Sequence, residues 1–370
     1  MRGGVVIAAL ALTGCASSSV DLHNMAAEQW TQEVARRGVD TARVPNPLLV
    51  TDAMRAEAAR LARTGGEIER LQRLQAALFN GQEFPFRYDN RRTLTAIEAY
   101  TEREGNCLSF TNLFVALARS LGIPATTAMV LRVRGSEREG DLIVVNTHVV
   151  AVYQQAAQVT FYDFDQYRDR RPTAVRPLDD LWITALYLNN RGSDELRVGR
   201  PDLALALFDD AVRLAPDFAG AWGNLGVARR RVGNITGAFA AYEQALTVDA
   251  DNPTVLSNLA ALYSSLGKER EARQALAAAS VADASPHSLI VRGDLELAQG
   301  RPKEALDFFG RARRLDPNLG EAWVASARAA LALGRESTAR RYVTKALDRS
   351  PELAEARQLA DRLGVAVPTS

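Results

Sequence analysis

The stretch GNCLSFTNLFVALARSLGIPA, residues 105–125, predicts a helix with a cysteine in its first turn. Large apolar side chains recur on one face at helical spacing, namely Phe110, Leu113, Phe114, Leu117 and Leu121. Gly122 predicts the end of this helix, and Pro124 follows at the usual distance. Gly105 and Asn106 disfavour a continuous helix from the preceding residues. We therefore expect Cys107 to begin a new helix whose apolar face lies in a core.

Three β-branched runs follow this helix, at residues 126–134, 141–153 and 158–165. Each is bounded by polar or small residues, which is typical of antiparallel strands. Helices followed by strands indicate an α+β domain. His148 lies within the second run, where a polar ring needs a hydrogen-bond partner.

A hairpin of the second and third runs would bring a carboxylate beside His148. A two-residue loop at residues 155–156 pairs His148 with Asp163. A shift of two residues pairs it with Asp165 on the same sheet face. The sequence pattern leaves both registers open.

Cys107, His148 and an aspartate have the chemistry of a thiol nucleophile site. A helix N-terminus favours the thiolate, an imidazole accepts the proton, and a third group orients the imidazole. The order of these residues, with LGIPA after the cysteine, resembles the transglutaminase-like superfamily of cysteine peptidases over roughly residues 90–170. The resemblance implies a papain-like α+β domain with Cys107 as nucleophile, His148 as base and later acid, and Asp163 as orienting residue, with Asp165 as the fallback. It also implies a thioacyl intermediate that is released to water or to an amine.

The sequence departs from the family pattern in two places. Val149 and Val150 follow the histidine, where an aromatic is usual, and Thr160 or Phe161 stands in place of the family's tryptophan. No residue before Cys107 stands out as a side-chain donor for an oxyanion hole. The weak candidates are the N–H of Cys107, Asn106 and Tyr100.

A second pattern begins near residue 185 and repeats five times. The glycines Gly199, Gly233, Gly267, Gly300 and Gly334 are spaced by 34, 34, 33 and 34 residues. Alanines recur behind them, namely Ala204, Ala238, Ala272, Ala305 and Ala339, then Ala211, Ala245, Ala279, Ala312 and Ala346. This period resembles the tetratricopeptide repeat over residues 185–353, with a capping helix at 354–364. The resemblance implies an all-α solenoid whose groove binds a protein or peptide, and we expect Trp222, Tyr242 and Trp323 to fill its core.

The N-terminus has the features of an export signal. Arg2 precedes an apolar run at residues 5–12, which is too short to span a bilayer. The sequence LTGC at residues 12–15 resembles the lipobox of bacterial lipoproteins, which implies a lipid on Cys15 and a membrane-anchored, periplasm-facing protein. Ala16 after the cysteine favours the outer membrane over the inner one.

Composition limits the remaining function classes. The chain is 47% hydrophobic and 24% charged with a formal net charge of +1, which gives no support to nucleic-acid binding. Two cysteines and three histidines have no metal-ligand spacing, and His23 and His287 lie far from the candidate thiol in sequence. We therefore expect no metal and no cofactor.

These observations predict five segments and two competing functions. The segments are a lipoprotein signal with its cysteine (1–15), a tether with a helical part (16–90), the transglutaminase-like domain with a connector (91–184), five repeats (185–353) and a capping helix with a tail (354–370). One hypothesis is an envelope-anchored thiol hydrolase or acyl transferase acting on peptide amides, with repeats that recruit a protein. The other is a non-catalytic scaffold that binds proteins in the cell envelope.

Overall fold

The computed structural model describes residues 24–79, 84–130, 136–139, 142–145, 148–156, 158–163, 175–282 and 286–366. These residues form two compact units. The first comprises the described residues of 1–134 and 147–233, and the second those of 135–146 and 234–370. The predicted lipobox, with its cysteine Cys15, lies outside the described residues. So do His23 and Asp165.

The described strands are β1 (Arg87–Tyr88), β2 (Glu104–Gly105), β3 (Thr126–Val130), β4 (Ser136–Glu139), β5 (Leu142–Val145), β6 (Val149–Gln155), β7 (Gln158–Tyr162) and β8 (Val175–Leu178). In the first unit, the order β7-β6-β3-β8 makes an antiparallel sheet, and β1 pairs with β2 in parallel. In the second unit, β4 and β5 form a hairpin that packs on the repeats. The sequence did not predict β8, whose Pro177 is tolerated because the strand lies at the sheet edge.

The described helices of the first unit are α1 (Ala27–Arg36), α2 (Asp52–Leu61), α3 (Glu67–Phe79), α4 (Ala96–Glu102), α5 (Cys107–Ser120), α6 (Asp180–Arg197), α7 (Pro201–Leu214) and α8 (Ala219–Arg231). Thr51 caps α2, because its side chain accepts from the Met54 N–H at 3.2 Å. Helices α2, α3 and α4 and strands β6 and β7 pack in one core around α5. The α+β class is therefore confirmed for this region.

Helix α5 is the centre of that core. The sequence predicted one apolar face, but every residue from Leu108 to Ala118 is buried. The polar side chains on the other face are buried as well, because neighbouring backbone meets them. The Asn112 Nδ2 donates to the Leu94 carbonyl at 3.2 Å, and Ser109 Oγ accepts from the Leu94 N–H at 2.8 Å. A helix enclosed on all sides holds its N-terminus rigidly.

The β6–β7 hairpin has the second of the two predicted registers. Gln155 pairs with Gln158 and Ala151 pairs with Tyr162, which leaves residues 156 and 157 between the strands. The first register, with its loop at 155–156, is therefore wrong by two residues. Ala156 supplies a positive φ of 51°, as tight hairpin turns require.

The first repeat belongs to the same compact unit as the sheet. The Arg119 guanidinium at the end of α5 lies 2.8 Å from the Asp180 carboxylate at the start of α6. The Trp30 Nε1 of α1 donates to the Thr184 Oγ1 of α6 at 3.1 Å. Both α6 and the N-terminal α1 are thus joined to the domain that contains α5.

The helices of the second unit are α9 (Ile235–Val248), α10 (Pro253–Ser265), α11 (Glu269–Ala282), α12 (Pro286–Ala298), α13 (Pro302–Leu315), α14 (Gly320–Ala332), α15 (Glu336–Arg349) and α16 (Ala354–Leu363). The pairs α10/α11, α12/α13 and α14/α15 pack as two-helix repeats, and α16 packs on α15. All five spaced glycines have φ between 69° and 80°, and the ten spaced alanines are no more than 1% exposed. The predicted all-α repeat region is confirmed.

The predicted core aromatics of the repeats differ in burial. Tyr242 is fully buried. Trp222 and Trp323 are only half-buried, because each indole Nε1 reaches a loop carbonyl, that of Pro216 or Pro317, at 2.9 Å. Among the helices that the structure describes, none has the length and apolar character that a membrane span needs.

Candidate active site

Cys107 lies at the first position of α5, where the sequence predicted it, and its side chain is half-buried. Asn106 is the N-cap, and its Oδ1 accepts the Ser109 N–H at 3.0 Å. The N-terminal end of a helix carries a partial positive charge, which stabilises an anion such as a thiolate. The fold therefore gives this thiol the environment that a nucleophile needs.

The turn before Cys107 is fixed by its neighbours. Gly105 has a φ of 146°, and a Cβ there would lie 2.4 Å from the Ser109 Cβ, so only glycine fits. The Asn106 N–H donates to the Arg92 carbonyl at 2.9 Å, and its Nδ2 donates to the Thr93 Oγ1 at 2.7 Å. These bonds hold the start of α5 against residues 92–94.

His148 lies immediately before β6, and its carbonyl accepts the Val130 N–H of β3 at 2.9 Å. Its side chain is 12% exposed, and its Nε2 lies 2.8 Å from the Asp163 Oδ2. The ring also shares a hydrogen bond with the Cys107 side chain. Since Nε2 is bonded to Asp163, Nδ1 is the nitrogen that remains for the thiol.

The protonation of His148 follows from these contacts. Burial lowers its pKa, but the hydrogen bonds and charges of Asp163 and then Cys107 outweigh burial and raise the pKa from 6.5 to about 9. The raised pKa favours the imidazolium form of the ring, which lies between the Asp163 carboxylate and the Cys107 side chain.

Asp163 reaches His148 across the sheet diagonally. The β6–β7 register, in which Ala151 pairs with Tyr162, offsets Asp163 from His148 by two residues along the strands. Residues with this offset share one sheet face and lie within reach of a long side chain. Asp163 therefore meets His148 in the register that the sequence had associated with Asp165.

Gln75 is a residue of the site that sequence reasoning missed. Its Nε2 donates to the Asp163 carbonyl at 3.2 Å, and its own side chain is partly buried. Gln75 lies on α3 between the buried Leu71 and Leu78 at helical spacing, so a polar residue on an apolar face was the available signal. Tyr162, next to Asp163, stacks on Phe114 of α5 with ring centroids 4.9 Å apart. Asp163 is thus fixed from two sides.

The weak oxyanion candidates are only partly retained. The Asn106 side chain is occupied in capping α5 and in bonding Thr93, so it is not available as a donor. The Tyr100 and Phe84 ring centroids lie 5.5 Å apart. The Arg103 guanidinium lies 5.4 Å from the centroid of the Tyr100 ring. The third candidate, the Cys107 N–H, lies at the start of α5 beside the thiol.

Within the described residues, no group of three or more His, Cys, Asp or Glu side chains is arranged so that it could hold a metal ion. His287 lies in the first turn of α12, in the second unit.

Two kinds of family model match the chain. One, described as the transglutaminase-like superfamily, matches residues 55–168, which include Cys107, His148 and Asp163. Two others, both described as tetratricopeptide repeat, match residues 189–253, and residues 229–290 with 296–363. No curated protein matches the chain.

Several solved structures are similar to about half of this chain. A tetratricopeptide-repeat protein of Thermus thermophilus is 20% identical, covers 49% of this chain and 100% of its own, and has a TM-score of 0.44. The pilF protein of Pseudomonas aeruginosa is 23% identical, covers 49% of this chain and 82% of its own, and has a TM-score of 0.42. A tetratricopeptide-repeat protein from Parabacteroides merdae is 21% identical, with coverages of 49% and 74% and a TM-score of 0.38.

Proposed function

We propose that this chain, which joins a transglutaminase-like domain to tetratricopeptide repeats, is a thiol-dependent peptide-amide hydrolase or acyl transferase. Tetratricopeptide repeats generally bind proteins or peptides, and we assign to them the recruitment of a protein substrate or partner. The observation that carries the proposal is the connected set Cys107–His148–Asp163, with Nε2 and Oδ2 2.8 Å apart.

In the proposed reaction, the Cys107 thiol has given its proton to His148 before the substrate arrives. The pKa of about 9 at His148 favours the ion pair of thiolate and imidazolium at neutral pH. The thiolate attacks the carbonyl carbon of a peptide amide, and the oxygen takes up negative charge near the first turn of α5. His148 then gives its proton to the departing amine, and a thioester remains on Cys107.

Release of the acyl group needs a second nucleophile. His148, now neutral, takes a proton from water or from an amine, which attacks the thioester and frees the thiolate. Asp163 keeps the ring oriented and stabilises its charge in both steps. Hydrolysis and acyl transfer share this path and differ only in which nucleophile reaches the thioester.

One observation favours the scaffold as the second candidate function. Acyl transfer generally uses two donors at the oxyanion, and the Asn106 side chain is already committed to the N-cap and to Thr93. A domain that keeps the fold while the site turns over no substrate would act through its repeats alone.

The proposed location is the bacterial cell envelope, with a lipid on Cys15 and the protein facing the periplasm, at the outer membrane. The support is the sequence LTGC and the apolar run before it. Metabolic labelling with an alkyne fatty acid tests this, with Cys15→Ala as the control. Labelling that persists in Cys15→Ala, or none in the wild type, contradicts the proposal.

Trapping tests the enzyme against the scaffold. A library of peptides carrying an activated ester, whose alcohol leaves when a thiolate attacks, is incubated with the full chain, and the adduct is located by mass spectrometry. The proposal predicts an acyl adduct on Cys107 that is absent in Cys107→Ala and much slower in His148→Ala. If Cys107 takes no adduct while the repeats still capture a protein, the scaffold is the correct function.

A further inference from the structure

A cavity in the second unit is lined by four cations and two aromatic rings. It has a volume of about 480 Å³, within the range of ligand sites. We call it the basic cavity. Its charged and aromatic lining residues are Arg313, Arg314, Trp323, Arg341, Tyr342 and Lys345. They come from the neighbouring helices α13, α14 and α15.

Arg313 is held between the two rings. Its guanidinium lies 4.4 Å from the Tyr342 ring centroid and 4.8 Å from that of Trp323. Its Nε is buried and makes no hydrogen bond to the described residues. Aromatic faces orient a guanidinium without using its N–H donors, so the fork of Arg313 is ready for a ligand.

Trp323 is fixed in turn by backbone. The Pro317 carbonyl accepts both the Trp323 Nε1 at 2.9 Å and the Arg349 Nε at 2.6 Å. On the same ring, the Lys345 Nζ lies 4.7 Å from the centroid. The wall of the basic cavity is therefore built before any ligand arrives.

These cations lack the acidic partners that other arginines of this unit have. Arg301 pairs with Glu296, Arg328 with Asp294 and Arg340 with Glu336. Within the described part of the chain, no carboxylate forms an ion pair with Arg313, Arg314, Arg341 or Lys345. The acids nearest in sequence, Asp316 and Asp348, do not line the basic cavity. Four like charges gathered around one cavity repel one another unless an anion binds between them.

We propose that the basic cavity binds an acidic segment of a partner protein, through its aspartate and glutamate carboxylates. Arginine matches a carboxylate with two parallel hydrogen bonds, and the rings of Trp323 and Tyr342 give apolar surface to the neighbouring side chains of the segment. The inference rests on the proposed recruiting role of the repeats and gives the chemistry of the recruited partner.

The test measures binding of a fluorescently labelled peptide rich in Asp, Glu and Leu to the full chain. Its counterpart with Asn and Gln in place of the acids is the ligand control. Lys345→Gln and Arg341→Gln remove charges from exposed side chains of α15. Lys303→Gln is the matched protein control, because it is exposed on α13 about 15 Å along the helix from Arg313. Arg313→Lys keeps the charge and removes the fork.

We expect the acidic peptide to bind, the neutral peptide not to bind, and added salt to weaken binding. Lys345→Gln and Arg313→Lys should each weaken it about tenfold, the usual loss for a charge-assisted hydrogen bond, and Lys303→Gln should not. Equal binding of both peptides, or no effect of Lys345→Gln, overturns the inference. The inference is also overturned if the cavity variants bind the acidic peptide as the wild type does but lose binding to anionic lipid vesicles.

The experiments distinguish failure of this inference from failure of the proposed function. If the double variant Arg341→Gln/Lys345→Gln still captures the partner that the repeats recruit, the basic cavity is not the docking site but recruitment stands. If removing the repeats beyond residue 233 leaves capture unchanged, recruitment itself is wrong.

Discussion

His148 is the residue whose ionisation is most altered by the fold. Burial lowers the pKa of His148, and the Asp163 hydrogen bond is the largest of the contributions that raise it to about 9. Asp163→Asn should therefore lower the His148 pKa towards 6.5, as measured by NMR titration of the imidazole. His287, which lies in the second unit, serves as an internal control, and its imidazole signals should be the same in the wild type and the variant. A His148 pKa that stays near 9 in Asp163→Asn contradicts the assigned contact.

The raised pKa of His148 also predicts how stability depends on pH. This pKa is higher in the folded state than the ordinary 6.5, so protonation favours folding. The contribution is complete below pH 6.5 and is lost as pH rises through about 9. It amounts to no more than about 3.5 kcal/mol, because each tenfold change in proton affinity is worth about 1.4 kcal/mol. Urea unfolding across this range measures it, and His148→Gln should flatten the dependence.

Gln75 is expected to act as a positioning residue through the Asp163 carbonyl. Gln75→Leu removes one hydrogen bond at 3.2 Å, and we expect the alkylation of Cys107 to slow about three- to tenfold. Gln72→Leu is the matched control, because Gln72 is exposed on the same helix. An equal effect of both substitutions would mean that Gln75 acts only through the stability of α3.

At the scale of elements, the N-cap of α5 links stability to the site. Asn106→Ala should destabilise the start of α5 by about 2 kcal/mol, because it removes the cap and leaves the buried Thr93 hydroxyl without its donor. Asn234→Ala removes an exposed cap of α9 and should cost about 1 kcal/mol. Hydrogen exchange of each helix measures both, and a larger cost at Asn234 would contradict the link between this cap and the site.

The repeats contain two kinds of glycine, which are required for different physical reasons. Gly293→Ala would bring a Cβ within 2.3 Å of the buried Phe309 ring, so it should cost about 2–3 kcal/mol by overpacking. Gly300→Ala meets no atom within 4 Å and should cost only about 1 kcal/mol, from its φ of 72°. Thermal unfolding ranks the two, and the reverse order would refute the role of packing at Gly293.

Sequence reasoning predicted some elements of the site and missed others, for physical reasons. The start of α5 at Cys107 was predictable because caps and helical periodicity are local. The hairpin register was not, since it depends on turn geometry that two adjacent glutamines and two alanines do not specify. Gln75 was missed because its contact with Asp163 joins residues 88 positions apart.

At the scale of the whole molecule, the first repeat is expected to be inseparable from the domain that contains Cys107. A chain ending at Gly233 keeps the Arg119–Asp180 and Trp30–Thr184 contacts together with the rest of α6, and should stay folded with a reactive thiol. A chain ending at Thr184 loses most of α6 and exposes its buried partners. Near-ultraviolet circular dichroism compares them. Two equally folded truncations would show that the domain ends before the repeats.

The most direct test of the proposed function is the rate at which iodoacetamide alkylates Cys107 as a function of pH. Mass spectrometry assigns the product to Cys107 and not to Cys15. We predict that Cys107 is alkylated rapidly at neutral pH and that His148→Ala slows this alkylation strongly. A wild-type thiol that reacts only slowly at neutral pH, with a rate that does not respond to His148→Ala, would contradict the proposed function.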